Sequence, residues 1–257
     1  MRSFTAFALE GFPLVKPGDD VARIIVETCE KNGLRVQEGD VIVVAQKVFS
    51  KAENRLFRLR DVVPSRRAER LAKTTGKSPR FVELVLKEAT NVLKASPEVL
   101  LVEDKRGLIC INAGIDKSNV EGRGNFALLP ENPDESARTC RLEIKKLTGI
   151  NVAVIVCDTY SRPFRRGQVN FAIGAAGINP FRDYRGTRDL FGHVLKVKNV
   201  AVLDEIAAAA ELLMGQGKEA RPVVVFRGLS SAVEVCDMCS TRGLQISREE
   251  DLFKGAM

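Results

Sequence analysis

The run Val152-Ala153-Val154-Ile155-Val156 is the clearest β-strand pattern in the chain, and it leads straight into Asp158-Thr159. A second carboxylate, Asp116, lies in Asn112-Ala113-Gly114-Ile115-Asp116-Lys117-Ser118-Asn119, just after another predicted strand. Acidic and hydroxyl groups at the carboxyl ends of strands suit a binding crevice, and hard oxygen donors suit Mg²⁺ or Mn²⁺. The same residues also fit a turn cap at Asp158 and a solvated carboxylate at Asp116, and the residues alone leave both readings open. Arg162-Pro163-Phe164-Arg165-Arg166-Gly167-Gln168 follows at once. Guanidinium groups fork onto phosphate or carboxylate oxygens, so Arg162, Arg165 and Arg166 are candidate anion contacts; a solvated basic loop is the plainer alternative. Gln46-Lys47-Val48-Phe49-Ser50-Lys51, after the strand Val41-Ile42-Val43-Val44-Ala45, brings two lysines of the kind that contact phosphates, although exposed lysines are also the commonest surface residues.

Several familiar chemistries are excluded. The chain has no GxxxxGK[ST] phosphate loop and no GxSxG elbow, and His193 is its single histidine. Histidine dyads and His-rich metal sites are therefore ruled out, and His193 is read as structural or superficial. Of six cysteines, Cys29, Cys110, Cys140 and Cys157 stand alone in apolar contexts and read as small core residues in a reducing compartment. Cys236 and Cys239 form a lone CxxC that nothing nearby completes into a four-ligand zinc site. No run approaches the ~18 apolar residues of a membrane span, and the start lacks the apolar core of a signal peptide, so a cytoplasmic protein without membrane contact is expected. The formal net charge of +7 favours anionic partners.

The elements expected around these residues alternate β-branched runs with amphipathic helices. Asp19-Asp20 caps a helix through Val21, Ile24, Ile25 and Cys29 that Gly33 stops. Ser65 and Ser78-Pro79 each open a helix, the second with Phe81, Val85 and Leu86 on one face. Val99 to Val102 and Leu108 to Ile111 form a hairpin around Asp104-Lys105-Arg106-Gly107. A helix with Pro133 at its first position runs to about Leu147 before Gly149. An Ala-rich helix covers Ile206 to Met214 and ends at Gly215, and Pro222 to Phe226 is the last strand. Residues 160–192, rich in Gly and Arg, support no assignment. Residues 230–257 read as a separate polar tail. The class is mixed α and β.

Taken in order, Gly11-Phe12-Pro13-Leu14, Gln46 to Lys51 with Ala52-Glu53, Gly114 to Asn119, Cys157-Asp158-Thr159 with its Arg-rich loop, Asp183-Tyr184-Arg185-Gly186 and Met214-Gly215-Gln216 resemble the family of GTP-dependent glutamate ligases that act on the deazaflavin coenzyme F-420 precursor. The resemblance covers about residues 1–229, which it implies to be a two-lobed α+β catalytic core, neither P-loop nor ATP-grasp, working as a homodimer; it leaves residues 230–257 as an extension. It implies activation of the precursor's lactyl carboxylate as an acyl phosphate, attack by the amine of L-glutamate, and a further γ-linked glutamate. Two divalent cations, Mg²⁺ or Mn²⁺, and K⁺ would support the reaction. Residue by residue, it gives Gly11, Phe12, Pro13, Leu14, Gln46, Lys47, Lys51 and Asn119 to the nucleotide, with a further strip of Met214, Gly215, Gln216, Gly217, Lys218, Glu219, Ala220 and Arg221. Asp116 and Asp158 would hold one divalent cation, and Thr159 and Gln216 a second. Gln46-Lys47 replaces the small hydroxyl residues common in the family, and Tyr160-Ser161 replaces a Ser-Gly; neither change touches the metal ligands.

Two other readings use the same residues. A metal-dependent phosphohydrolase would pass phosphate to water instead of an acid. A basic nucleic-acid-binding protein would explain the charge, but it calls for an aromatic or basic stripe that is not found.

Overall fold

The computed structural model describes residues 3–229, 232–247 and 249–251. In chain order the elements are β1 (Thr5–Ala8), α1 (Val21–Lys31), β2 (Val41–Ala45), α2 (Gln46–Ala52), β3 (Leu56–Arg58), α3 (Arg66–Thr75), α4 (Pro79–Glu88), β4 (Ala89–Ser96), β5 (Val99–Asp104), β6 (Ile109–Ile111) and β7 (Asn125–Ala127). Then come α5 (Pro133–Thr148), β8 (Ala153–Ser161), β9 (Gln168–Ala176), β10 (Phe181–Asp183), β11 (Asn199–Ala201), α6 (Val202–Met214) and β12 (Val223–Arg227). The class is α+β, as expected. Two compact units divide the chain: Met1–Val15, Asp19–Val48 and Asn132–Met257 form the first, Lys16–Gly18 and Phe49–Glu131 the second.

The first unit is built on a five-stranded sheet in the order β1-β12-β2-β8-β9, parallel only between β2 and β8. Val41, Val43, Ile155, Cys157, Val224 and Phe226 pack with Leu203, Ile206, Ala207 and Ala210 of α6. The alternate residues Ile42, Val44, Val154 and Val156 are equally buried, and α5 packs against β8 and β9 with α1 beyond it. A strand covered on both faces needs a continuous β-branched run, which is why these strands stand out in the sequence. Each fully buried Ile, Val or Phe contributes about 1.5–3 kcal/mol.

Helix ends follow local chemistry. Asp20 caps α1 by accepting from Arg23 N at 3.0 Å. Asn132 caps α5 by accepting from Glu135 N, Pro133 fills the first position and Gly149 closes it in the left-handed region at φ 76°. Helix α6 starts at Val202, not Ile206, because Val202 and Leu203 are buried in the same core.

Residues 160–192 hold more regular structure than their composition suggests. β8 does not end at Asp158; it runs on to Ser161, laddered only to β9 after Ala45↔Cys157, the last pairing with β2. β9 was unassigned because a Gly and polar residues interrupt its apolar run. Gly174 is required by close approach: a Cβ there would stand 2.3 Å from the carbonyl carbon of Pro133. A register shift opposite Val156 and Cys157 bends the ribbon. It is held from both sides, with Asp134 of α5 accepting from Ala175 N at 2.8 Å and Asp204 of α6 from Ala172 N at 3.0 Å.

The described residues of the 230–257 segment are tied to this unit. Thr241, 5% exposed, donates from its backbone N and its hydroxyl to Asp134, Asp237 pairs with Arg141 at 2.7 Å, and Asn179 N donates to Glu234 O. Cys236 and Cys239 are joined to each other as a disulfide, while the four solitary cysteines are buried as expected.

The second unit has the sheet β4-β5-β6 and the pair β3-β7. Its core gathers Val62, Ala68, Ala72, Val82, Leu84, Val85, Leu100, Val102, Ala113, Ile115 and Leu128. Ser65 caps α3 by accepting from Ala68 N, and Pro79 opens α4. On α4 the buried face is Val82, Leu84 and Val85; Phe81 and Leu86 lie at its margin, partly exposed. The hairpin around Asp104 forms as expected, but β4, unforeseen, adds a third strand whose irregular register with β5 disrupts the alternation that marks a strand.

Candidate functional site

Strand direction gathers most of the expected residues of the first unit along one edge of its sheet. β12 runs antiparallel to both β1 and β2, and β8 runs parallel to β2. The C-terminal ends of β1, β2 and β8 and the N-terminal end of β12 therefore share an edge. Backbone bonds tie that edge together, from Leu9 N to Val223 O at 3.0 Å and from Ala45 N to Pro222 O at 2.8 Å. Four expected segments open from it: Gly11 to Leu14 after β1, Gln46-Lys47 after β2, Asp158-Thr159 on β8 and Met214 to Arg221 before β12.

The segments differ in exposure. Phe12 and Gln46 are buried, Lys47 is half-buried, and Gly11, Pro13 and Leu14 are exposed. Gly11 adopts φ 67°, a left-handed turn natural to glycine. In the strip before β12, Met214 is buried, residues 215–220 are exposed, and Glu219 folds back to accept from Gly217 N at 2.7 Å. Its own backbone N–H, and then that of Gly217, hold the Glu219 carboxyl below its usual range. Arg221 reaches Glu10 at 3.3 Å, linking the strip to the segment after β1.

Past the end of β2, the β8-β9 ribbon carries Asp158 and Thr159 on opposite faces, since neighbouring strand residues point opposite ways. Thr159 is on the face of Cys157 and Ile155, which pack with α6, and a network runs along that face. Gln216 donates from Nε2 to Thr159 Oγ1 at 2.9 Å and to Glu211 Oε1 at 2.6 Å. Thr159 donates to Asn170 Oδ1 at 3.2 Å, directly across the ribbon, and Asn170 Nδ2 reaches Cys157 Sγ at 3.5 Å. Burial, then the nearby Asp158 charge, pushes the Cys157 thiol up, so it stays protonated at neutral pH. Burial also raises the Glu211 carboxyl, against the opposing effect of the Gln216 bond. Glu211 Oε2 is buried with no hydrogen-bond partner, as are Arg162 Nε and Arg221 Nε. Arg162 lies half-buried beyond the ribbon with Arg165 and Arg166 exposed after it, around Phe164 and Gly167 at left-handed φ.

Lys51, Asp116 and Asn119 belong to the second unit. Asp116 exchanges backbone bonds with Ala127, and its carboxylate accepts from Ser118 N at 2.9 Å and Ser118 Oγ at 2.6 Å. That is an Asx turn. The turn before it is strained: Asn112, Ala113 and Gly114 all have positive φ, two of them without glycine's freedom.

No cluster of three or more His, Cys, Asp or Glu side chains capable of holding a metal ion occurs among the described residues. A cation here would have few carboxylates, which fits Mg²⁺ held by one or two protein carboxylates together with substrate phosphates. The oxygens of Asp158, Thr159 and Gln216 are of the hard type such a cation takes. Glu211, Asn170 and Glu10 were missed in the sequence. For Glu211 a signal existed: it is the sole acid in the apolar stretch Ile206 to Met214, one turn before the Gly215-Gln216 break.

Residues 11–228 match the family model described as F420-0:Gamma-glutamyl ligase. Among curated proteins, the chain is similar to the coenzyme F420:L-glutamate ligase of Archaeoglobus fulgidus, 46% identical over 96% of this chain and 95% of that protein. It is also similar to the proteins of that name from Methanopyrus kandleri, 45% identical over 91% and 92%, and Methanothermobacter thermautotrophicus, 41% identical over 96% and 97%. No described helix is long and apolar enough to cross a membrane. With its matched segments opening from one sheet edge and the match running across nearly its whole length, the chain belongs to the F420-0:gamma-glutamyl ligase family and is an amide-bond-forming ligase.

Proposed function

We propose that the chain joins L-glutamate to the lactyl carboxylate of the deazaflavin coenzyme F-420 precursor, using GTP, and then adds a second glutamate through a γ-linkage. The observation that carries this reading is the convergence of four matched segments on one sheet edge. The precursor's carboxylate oxygen attacks the terminal phosphorus of GTP, and the bond to the bridging oxygen breaks to release GDP. The amine of glutamate then attacks the acyl carbon, phosphate leaves, and the ammonium proton passes to solvent. By the family resemblance, Gly11 to Leu14, Gln46, Lys47, Lys51, Asn119 and the strip from Met214 to Arg221 bind the nucleotide.

Asp158, with Asp116, would hold one divalent cation, and Thr159 with Gln216 the other; the emergence of Asp158 and Thr159 on opposite ribbon faces suits two separate ions. Bound Mg²⁺ or Mn²⁺ supplies charge neutralisation at the phosphoryl oxygens. Arg162, Arg165 and Arg166, on the ribbon that projects from the edge, contact the acidic substrate. No step needs a histidine. K⁺ and a homodimer belong to the same reading and rest on the resemblance alone.

Mass spectrometry of the deazaflavin after incubation with glutamate, GTP and Mn²⁺ tests this. A gain of one or two glutamyl units that vanishes when any one of the three is left out is expected. Phosphate release that proceeds equally without glutamate would replace the ligase with a phosphohydrolase.

A further inference from the structure

The network beside Thr159 has a direction. A carboxylate only accepts, so the end of Gln216 that faces Glu211 at 2.6 Å is its NH₂ group, and the same nitrogen donates to Thr159 Oγ1. Thr159 spends its single hydroxyl proton on Asn170 Oδ1. Asn170, 4% exposed, points its own NH₂ inward at Cys157. The donor groups of Gln216, Thr159 and Asn170 thus all point into the network. What remains on offer is acceptors, the carbonyl oxygen of Gln216 and a lone pair of Thr159 Oγ1, with Glu211 Oε2 buried and without a partner beside them. A face that offers oxygens and no hydrogens, backed by one uncompensated negative charge, is complementary to a cation.

We infer that Glu211 is a positioning residue: its carboxylate fixes the Gln216 amide so that the carbonyl oxygen, beside Thr159 Oγ1, faces the cation. This rests on the proposed second cation site at Thr159 and Gln216. Glu211 need not touch the ion; it fixes which end of an otherwise freely flipping amide is presented and adds its charge from behind, as outer-shell carboxylates do for metal ligands.

The test is Mn²⁺ binding to the full chain in the presence of GDP, followed by calorimetry and by the electron paramagnetic resonance of free Mn²⁺. Glu211→Leu, which removes both acceptor and charge, should weaken one Mn²⁺ site by about 10- to 100-fold. Glu211→Gln keeps the shape but loses the charge, and its amide can pair with Gln216 in either orientation, so it should also weaken that site. Glu211→Asp should recover part of the affinity. Melting in the absence of metal separates this from a packing role, and should not fall in Glu211→Gln because a half-buried, uncompensated charge is removed. Thr159→Val serves as the reference variant. If Thr159→Val weakens Mn²⁺ and Glu211→Gln and Glu211→Leu do not, the positioning role of Glu211 is overturned. If Thr159→Val also binds both ions as wild type does, the second cation site itself fails.

Discussion

Two glutamates, one in each unit, sit in opposite circumstances, Glu88 buried and Glu211 half-buried. Glu88, at the end of α4, accepts from Arg55 Nη2 at 2.6 Å and has Arg106 and Lys105 within 3.8 and 3.9 Å. Arg55 also donates to Leu129 O and Arg106 to Pro130 O, while Asp104 takes two bonds from Arg106 and one from Leu108 N. Cations match the carboxylates, Arg55, Arg106 and Asp104 are also tied to backbone, and Arg106 Nη2 lies 2.7 Å from Asp104. Glu211, on α6, has one amide donor on one oxygen and none on the other. A carboxylate oxygen buried without a partner costs stability, so it persists where something outside the chain completes it. The satisfied network specifies a fold, and the unsatisfied one specifies a ligand. Asp40 and Arg227 repeat the first case within the first unit, joined by two bonds of 2.9 and 2.8 Å with Asp40 1% exposed.

The comparison breaks most visibly at Glu88. Glu88→Ala leaves Arg55 half-stranded and should cost about 3 kcal/mol of unfolding free energy, measured by urea denaturation. Mn²⁺ affinity in the variant that remains folded should stay at the wild-type value; a lost metal site would show that the second unit's network is not purely structural.

A smaller effect is expected at Lys51. Lys51→Met keeps most of the stem and removes one charge-assisted contact, which should weaken nucleotide binding by about 1.5–3 kcal/mol. Equilibrium binding of a fluorescent GTP analogue measures it, and an unchanged dissociation constant would make Lys51 an ordinary surface residue.

The smallest effect sharpens the comparison through pH. Burial raises the Asp204 carboxyl, with the bond from Ala172 N opposing. Because the folded pKa exceeds the unfolded one, the fold binds this proton more tightly. The group's favourable contribution is therefore complete below the usual carboxylate range and is lost as pH rises through the raised value. Asp204→Asn removes that slope while keeping an acceptor for Ala172 N. Its melting temperature at pH 7 should match or slightly exceed wild type, by less than the roughly 2–4 °C that 1 kcal/mol makes in a chain of this size. A clear fall would mean that the charge itself holds β9.

What could be read from the sequence was what local chemistry decides. Val41 to Ala45 and Val152 to Val156 announce themselves because both faces are buried, and the helix ends at Asp20, Ser65, Pro133 and Gly149 need only their neighbours. What could not be read depends on distant partners. β8 continues past Asp158 only because β9 returns beside it, and β9 is disguised by Gly174, which is there for Pro133. For the site, Asp158 and Thr159 stand out at a strand end by residue type and Gln216 through the family resemblance, and the contact between Thr159 and Gln216 gives two of them a common place. Glu211 and Asn170 escaped notice because a lone Glu on an Ala-rich helix and an Asn in an apolar strand acquire meaning only once the turn at Gly215 brings Gln216 back to the ribbon.

The most direct test of the central claim, that the sheet edge is a nucleotide-bound cation site, is at Asp158. Asp158→Asn exchanges a carboxylate for an amide at nearly equal volume, so melting without metal should match wild type. Calorimetric titration with Mn²⁺ in the presence of GTP should show one site lost, and turnover should fall by about 100-fold or more. Asp116→Asn should behave similarly, and the double variant should be little worse than either single, because both serve one ion. Wild-type Mn²⁺ stoichiometry and turnover in Asp158→Asn would contradict the claim and leave Asp158 an ordinary residue of the β8-β9 ribbon.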